Sequence, residues 1–314
     1  MSPRDALSYP ADAASPRYWP IWIGIFLLRV LCLLPYSWLV RLGSGLGWLF
    51  FKLSAARRRI AEINLELCFP QLPPQQRQAL LRANIRDTGI GIMETLYAFW
   101  GRHPPQTIVW HGEEILHEAL AQKRGVLLVG LHMTCLEIIG RLINQRYRMD
   151  YLWQEQRNPV LRTAMLIARS RYFDQAIDRK AIRHLLKRLR QGHIVWYAPD
   201  QDHGTDHGVF SSFFGVEAAT ITALDRLASL NHSPVVFIRY HRLAPGAGYA
   251  ITFERADGFP SGDEHRDARR INDFLEQAIR PHPEQYLWVH RKFKTRPAGV
   301  PERYQRQDGH RYGD

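Results

Sequence analysis

His132 and Glu137, in VLLVGLHMTCLEIIGRLI at 126–143, are a pair whose types and spacing suggest chemistry. An imidazole beside a carboxylate that fixes its tautomer and stabilises its charged form is the pairing of general-base catalysis. On one regular helix, five positions would set the two about 140° apart, too far round to touch. A strand over Val126–Val129, a turn carrying His132 and a helix opening near Glu137 would instead let them converge. That point is the carboxyl end of a strand, where open α/β sheets bind ligands. We read His132 as the base and Glu137 as its orienter; the alternative is an ordinary surface pair. Cys135 offers a thiol nearby, but its place beside Leu136 in an apolar run marks it as buried and inert.

A second strand end follows in WYAPDQDHGTDHG at 196–208, dense in polar groups. Two such loops in one sheet face a common crevice, which makes Asp200, Gln201 and Asp202 candidates to position a substrate. His203 and His207 raise a metal reading. Ligands four apart share a face only on a helix, and Gly204 and Gly208 argue against one, so no metal is expected. Basic groups cluster in DRKAIRHLLKRLRQG, where Ala181, Ile182, Leu185, Leu186 and Leu189 form a stripe beside Arg183, Lys187, Arg188 and Arg190. That face is either simply solvated or docks an acidic partner. Arg169 and Arg171 in RSRYF, and Arg291, Lys292 and Arg296 in HRKFKTRP, add cations suited to phosphates.

These residues must be held by something. The chain has 314 residues, 46% hydrophobic and 23% charged, enough for a sizeable core, and a formal net charge of +12 that favours anionic partners. Three cysteines without a CxxC pair give no disulfide or zinc framework. Alternating short apolar runs and amphipathic stretches predict an α/β domain, a mixed sheet flanked by helices, over 54–300. Strands are expected near 107–110, 125–129, 150–153, 194–198, 234–240 and 249–254. Ahead of it, residues 1–17 read as disordered. Residues 18–53 (YWPIWIGIFLLRVLCLLPYSWLVRLGSGLGWLFFKL) read as a membrane anchor. Trp19–Val40 is about long enough to span a bilayer, but Arg29 and Pro35 interrupt it. The alternatives are an interfacial hairpin or a buried helix pair. Arg57, Arg58 and Arg59 place the following domain on the cytoplasmic side. Residues 301–314 read as a polar tail. There is no GxSxG elbow, no P-loop and no dinucleotide fingerprint, and no nucleic-acid-binding signature.

Together the segments resemble the late acyltransferases of lipid A biosynthesis, of lauroyl and myristoyl type, within the lysophospholipid acyltransferase-like superfamily. They are RRRIAEINLELCFPQL, GLHMTCLE (an H-x4-E motif), QRNP, GHIVWYAPDQDHG and PEQYLWVHRKFKTRPAGVPERY, in order over nearly the whole chain. The resemblance implies a glycerolipid-acyltransferase-like fold with an amino-terminal anchoring helix or hairpin on the inner membrane, the catalytic domain facing the cytoplasm. It implies transfer of a fatty acyl chain, lauroyl first among candidates, from acyl carrier protein to the 3-hydroxyl of a hydroxyacyl chain on a Kdo-bearing lipid A precursor. No cofactor is implied beyond that co-substrate. His132 would be the base and Glu137 its partner, with no acyl-enzyme. Arg169, backbone N–H groups near His132, Arg171 and Arg157 would bind the oxyanion or substrate. Asp200, Gln201 and Asp202 would position the acceptor. Arg183, Lys187, Arg188, Arg291, Lys292 and Arg296 would take acceptor phosphates or the carrier. Pro199–Asp202 stands where glycerolipid enzymes carry a PEGT-like segment, which argues against a glycerophospholipid acyltransferase. A non-catalytic lipid- or carrier-binding protein of the same fold is the remaining alternative.

Overall fold

Runs of three to eight residues become the strands of one seven-stranded sheet. The structure, a computed structural model, describes residues 7–102, 107–154, 156, 158–206, 208–244 and 247–304. In chain order the strands are β1 (Ile108–His111), β2 (Val126–Val129), β3 (Met149–Trp153), β4 (Ala176–Asp178), β5 (Ile194–Tyr197), β6 (Gly208–Phe213), β7 (Val216–Ile221), β8 (Val235–Arg242) and β9 (Tyr249–Arg255). The sheet runs β1-β9-β8-β2-β5-β3-β4, while β6 and β7 form a separate antiparallel hairpin. Strands β8, β2, β5, β3 and β4 are mutually parallel, and β9 pairs antiparallel to β8. Every residue of β2 is buried, as a strand covered on both faces requires. Each of its Val and Leu side chains contributes about 1.5–3 kcal/mol by leaving water. The mixed α/β class expected from the pattern is what the chain forms.

The helices are α1 (Trp19–Leu31), α2 (Tyr36–Leu53), α3 (Ala55–Cys68), α4 (Pro74–Trp100), α5 (Glu113–Ala121), α6 (Leu136–Asn144), α7 (Pro159–Arg169), α8 (Ile182–Arg190), α9 (Ala223–Asn231) and α10 (Glu264–Ile279). The apolar stretch expected as a possible single span is broken between Leu31 and Tyr36, where Pro35 starts a new helix. No helix among the described residues is long and apolar enough to cross a membrane. Yet α1, α2 and the turn between them expose Trp19, Ile23, Phe26, Leu27, Leu33, Trp38, Trp48 and Leu53 to solvent. The opposite side of α2 lies on α4 at very close range. A Cβ added at Gly89 would meet the backbone of Gly43 and Gly47 at 2.1–2.5 Å.

Near both ends of the described chain, residues pack into the fold. Residues 7–18 make turns in which Ala13 and Tyr18 are buried with Val160 of α7, and the Trp22 Nε1–H donates to the Ala13 carbonyl at 2.8 Å. Tyr304 is fully buried, its hydroxyl accepting the Phe293 N–H at 3.1 Å. Residues 1–6 and 305–314 lie outside the described residues.

Candidate active site

Strands β2 and β5 are parallel neighbours, Val129 standing opposite Tyr197, so the loops after them open side by side. The Gly130 N–H continues the ladder to the Tyr197 carbonyl at 2.9 Å. A Cβ at Gly130 would come within 2.8 Å of the Trp196 indole nitrogen, so the turn needs glycine there. His132 follows, its side chain 22% exposed.

The partner of His132 is Asp200, not Glu137. Asp200 Oδ1 stands 2.6 Å from His132 Nδ1, and its Oδ2 accepts the backbone N–H of His132 at 2.8 Å and the Tyr286 hydroxyl at 3.1 Å. The carboxylate thus fixes both the ring and the backbone of His132, leaving Nε2 toward the cleft. Burial alone would lower the His132 pKa. The charge and hydrogen bond of Asp200, with a smaller contribution from Glu137, raise it above the ordinary histidine value instead. Burial would raise the Asp200 carboxyl. His132, the two hydrogen bonds to it and the Lys292 charge hold it well below the usual carboxylate range. An ionised Asp200 and a histidine ready to take a proton are the two halves of a general base.

Glu137 sits in the first turn of α6 and receives a two-pronged ion pair from Arg169 at the end of α7: Arg169 Nε donates to Oε2 at 3.1 Å, and Nη2 to Oε1. The H-x4-E spacing does bring Glu137 near the imidazole. The helix geometry then aims it across the sheet face to Arg169, because Asp200 already holds Nδ1. Glu137 in turn keeps Arg169 charged against its burial. The guanidinium lies over the Tyr151, Trp153 and Phe99 rings, a setting arginine tolerates better than lysine.

The loop carrying His132 rests on a buried knot that the sequence did not reveal. Arg242 of β8 donates to Glu94 of α4 from Nε at 2.8 Å and from Nη2 at 2.6 Å, and also pairs with Asp87. Tyr36 of α2 and Tyr249 of β9 donate to the same Glu94 oxygen at 2.7 and 2.6 Å. Gln285 accepts the Arg242 N–H with its side chain at 2.7 Å and the Thr134 N–H with its carbonyl, also at 2.7 Å. The segment bearing Tyr286 is pinned separately by Asn84 of α4, whose amide donates to the Glu284 and Tyr286 carbonyls at 2.8 Å.

His132 stands where two cavities meet. The larger, about 830 Å³, runs past Trp196, Leu152, Met165 and Leu227 to a rim bearing Arg179, Lys180 and Arg226. That is within the size range of small-molecule sites. The smaller, about 120 Å³, is walled by Leu136, Ile139, Ile143, Met149 and Phe173. Arg169, Leu152 and Trp196 border both. Gln201 also lines the larger cavity, its Nε2 lying 3.3 Å from His132 Nε2.

Several expected roles are corrected by position. Asp202 accepts from the Thr295 N–H at 2.7 Å, the Thr295 hydroxyl at 2.9 Å and the Gly204 N–H at 2.8 Å. It staples two loops, with three of its acceptor positions given to that task. Lys292 is 3% exposed, over the Phe213 ring, so it meets Asp200 from inside and cannot dock a surface phosphate; burial lowers its pKa. Arg188 is bound to Asp150 at 2.6 and 3.0 Å. Arg296 donates to the Val300 carbonyl at 2.7 Å, and Arg171 to that of Phe99 at 3.3 Å. Arg183 and Lys187 are exposed on α8, and Arg291 is partly buried beyond His290. The backbone N–H groups of Gly130, His132, Met133 and Thr134 all have intramolecular acceptors, which removes them as oxyanion donors. Cys135 is buried and its thiol is pushed up to about 12 by that burial, in keeping with an inert thiol. Arg157 and His207 lie outside the described residues. Asp150, Asp174 and His193 approach one another closely enough for a cation, but the Arg188 guanidinium pairs with both carboxylates.

Residues 11–295 match the family of bacterial lipid A biosynthesis acyltransferases. The chain belongs to that family. It is 38% identical over 296 residues to the lipid A biosynthesis lauroyltransferase of Escherichia coli (strain K12), covering 92% of this chain and 96% of the relative. A lipid A biosynthesis acyltransferase of Haemophilus influenzae is 36% identical over 290 residues, 90% of this chain and 93% of the relative. The lipid A biosynthesis palmitoleoyltransferase of Escherichia coli (strain K12) is 35% identical over 297 residues, 92% and 95%. This lipid A biosynthesis acyltransferase is thus an enzyme, and its two-cavity cleft around His132 is where acyl transfer is to be sought.

Proposed function

We propose that the enzyme moves a fatty acyl chain, lauroyl first among candidates, from acyl carrier protein to the 3-hydroxyl of a hydroxyacyl chain on a phosphorylated, Kdo-bearing lipid A precursor. The observation that carries this reading is the His132–Asp200 pair at the junction of the two cavities. His132 Nε2 takes the hydroxyl proton as the oxygen attacks the thioester carbon, a contribution of about 10²–10⁴-fold. The carbonyl electrons move to oxygen, and collapse of that adduct breaks the carbon–sulfur bond. The departing thiolate takes the proton back from the imidazolium. No enzyme nucleophile is required. Arg169, bordering both cavities and held by Glu137, is our candidate to face the oxyanion. Gln201 would position the acceptor hydroxyl.

The remaining partners follow from charge and exposure. The acidic carrier is assigned to the rim of Arg179, Lys180 and Arg226, with Arg183 and Lys187 beside it, in place of the ion-paired Arg188 and the buried Lys292. The apolar outer faces of α1 and α2 are assigned to the interface of the inner membrane, on its cytoplasmic side, where they would lie rather than span. The lauroyltransferase and palmitoleoyltransferase relatives differ in the chain they are named for, so chain length is read from donor competition. Lipid extracted from a strain lacking the gene tests the function. Lipid A short of one secondary acyl chain is expected; altered glycerophospholipid chains with intact lipid A would refute it.

A further inference from the structure

The geometry points to His290 as a positioning residue that fixes which edge of the Gln201 carboxamide faces the base. Through that amide it orients the acceptor hydroxyl. The inference rests on the reaction proposed above.

Gln201 Nε2 lies 3.3 Å from His132 Nε2 and 3.2 Å from His290 Nε2, and the two rings stand 5.9 Å apart between centroids. With the His132 Nδ1–H given to Asp200, its Nε2 carries a lone pair, so the group facing it must be a donor. An amide NH₂ has two hydrogens and can satisfy two such acceptors. His290 Nε2 is then also a lone pair, on a neutral ring protonated at Nδ1. Burial holds the His290 pKa down at about 4, which agrees with that state. A carboxamide turned the other way would press its oxygen against two lone pairs.

The ring is placed with some force. Asn64 of α3 donates to the Trp288 carbonyl at 2.7 Å and the His290 carbonyl at 2.8 Å, and Arg57 donates to that of Val289 at 3.0 Å. One Gln201 N–H is thereby committed to His290. The other points at the place a hydroxyl must occupy to hand its proton to His132. An acceptor entering there accepts that N–H on its oxygen and donates its own hydrogen to Nε2. A lone pair then remains for the thioester carbon. Until the acceptor arrives, the amide covers the base and disfavours water as the attacking group.

The test compares wild type, His290→Phe, His290→Gln, Gln201→Ala and Gln201→Ala/His290→Phe, with lauroyl-acyl carrier protein and the Kdo-bearing tetraacylated precursor. His290→Phe is expected to lower kcat for transfer by roughly tenfold, the scale of one lost hydrogen bond. It should leave KM for the carrier unchanged and raise the share of thioester lost to water. His290→Gln, whose side-chain oxygen can stand near the Nε2 position, should recover most of the loss. In the Gln201→Ala background His290→Phe should add nothing. Wild-type kcat and partition in His290→Phe would overturn the inference. So would a His290→Gln as defective as His290→Phe, or an equal loss with Gln201 already removed. Nitrogen-15 shifts of the wild-type His290 ring give a reading that needs no active variant: hydrogen on Nδ1 is expected, and hydrogen on Nε2 refutes it. Absence of transfer by wild type would instead refute the proposed reaction, and this inference with it.

Discussion

Replacing Asp200 by asparagine separates the two carboxylates that compete for the role of orienter. Asp200 accepts three hydrogen bonds: from His132 Nδ1–H, from the His132 backbone N–H and from the Tyr286 hydroxyl. Asparagine has one oxygen for these three donors. If its NH₂ turns to Nδ1, the imidazole must shift its hydrogen to Nε2 and ceases to be a base. If it turns the other way, it meets the backbone N–H and Tyr286 donor to donor, at about 1–3 kcal/mol for a group left unsatisfied. The same exchange in a Ser–His–Asp triad costs about 10⁴-fold through the wrong tautomer. The expected loss of kcat here is therefore about 10²–10⁴-fold, or about 2.7–5.5 kcal/mol of barrier. A second readout fixes the cause. Because the folded His132 pKa is raised, the base form is gained as pH climbs, and kcat/KM of wild type should rise through an apparent pKa above the ordinary value of about 6.5. Loss of the Asp200 charge should move that limb to lower pH. Glu137→Gln should move it less, since Glu137 is bonded to Arg169 rather than to the ring. The assay is single-turnover transfer from lauroyl-acyl carrier protein across pH. Asp200→Asn within threefold of wild type, or a larger limb shift in Glu137→Gln, would overturn Asp200 as the group that holds His132.

Three further outcomes follow from the packing. Arg169→Ala leaves the Glu137 carboxylate, 14% exposed, without its partner, and should cost about 3–5 kcal/mol in denaturant unfolding, the scale of a broken buried pair; Arg169→Met with Glu137→Leu should recover most of that stability. Gly89→Val forces α2 off α4, because the added atoms meet backbone rather than flexible side chains, and should cost about 1–3 kcal/mol or more, seen as a lower Tm. Replacing Phe26, Leu33, Trp38 and Trp48 by serine removes exposed apolar area and should reduce cosedimentation with anionic phospholipid vesicles several-fold, with Tm unchanged.

The sheet and the two loops at its carboxyl edge were legible because they are written locally. Val126–Val129 and Ile194–Tyr197 are apolar runs ended by Gly130 and by Ala198–Pro199, and parallel pairing of such runs sets their ends side by side. The identity of the orienter was not legible. A carboxylate five residues from His132 competes on paper with one 68 residues away, and only the pairing of β2 with β5 decides between them. The same limit hid Tyr286 and His290, which reach the site on a segment pinned by asparagines of α3 and α4. Strand β4 has three residues, too few for a period. The hairpin of β6 and β7, VFSSFFGVEAATI, is set apart from the main sheet and follows directly on a polar loop, so its apolar residues show no single clear period. Arg188 and Lys292 looked like surface cations because sequence shows their charge and not the aspartates waiting inside the fold: Asp150 for the first, Asp200 and Asp202 for the second. The apolar amino terminus was legible as unusual. That it is two helices, one lying on α4, depended on Pro35 and on the glycines that permit close approach.

In the proposed reaction His132, held by Asp200, draws the proton from an acceptor hydroxyl that attacks a carrier-bound thioester. Purified protein would be incubated with lauroyl-acyl carrier protein and the Kdo-bearing tetraacylated precursor, beside His132→Ala, and the lipid weighed by mass spectrometry. A product heavier by one acyl chain is expected from wild type, formed at least about 10²-fold more slowly by the variant. Transfer at the wild-type rate by His132→Ala, or no transfer by wild type from donors of several chain lengths, would contradict it.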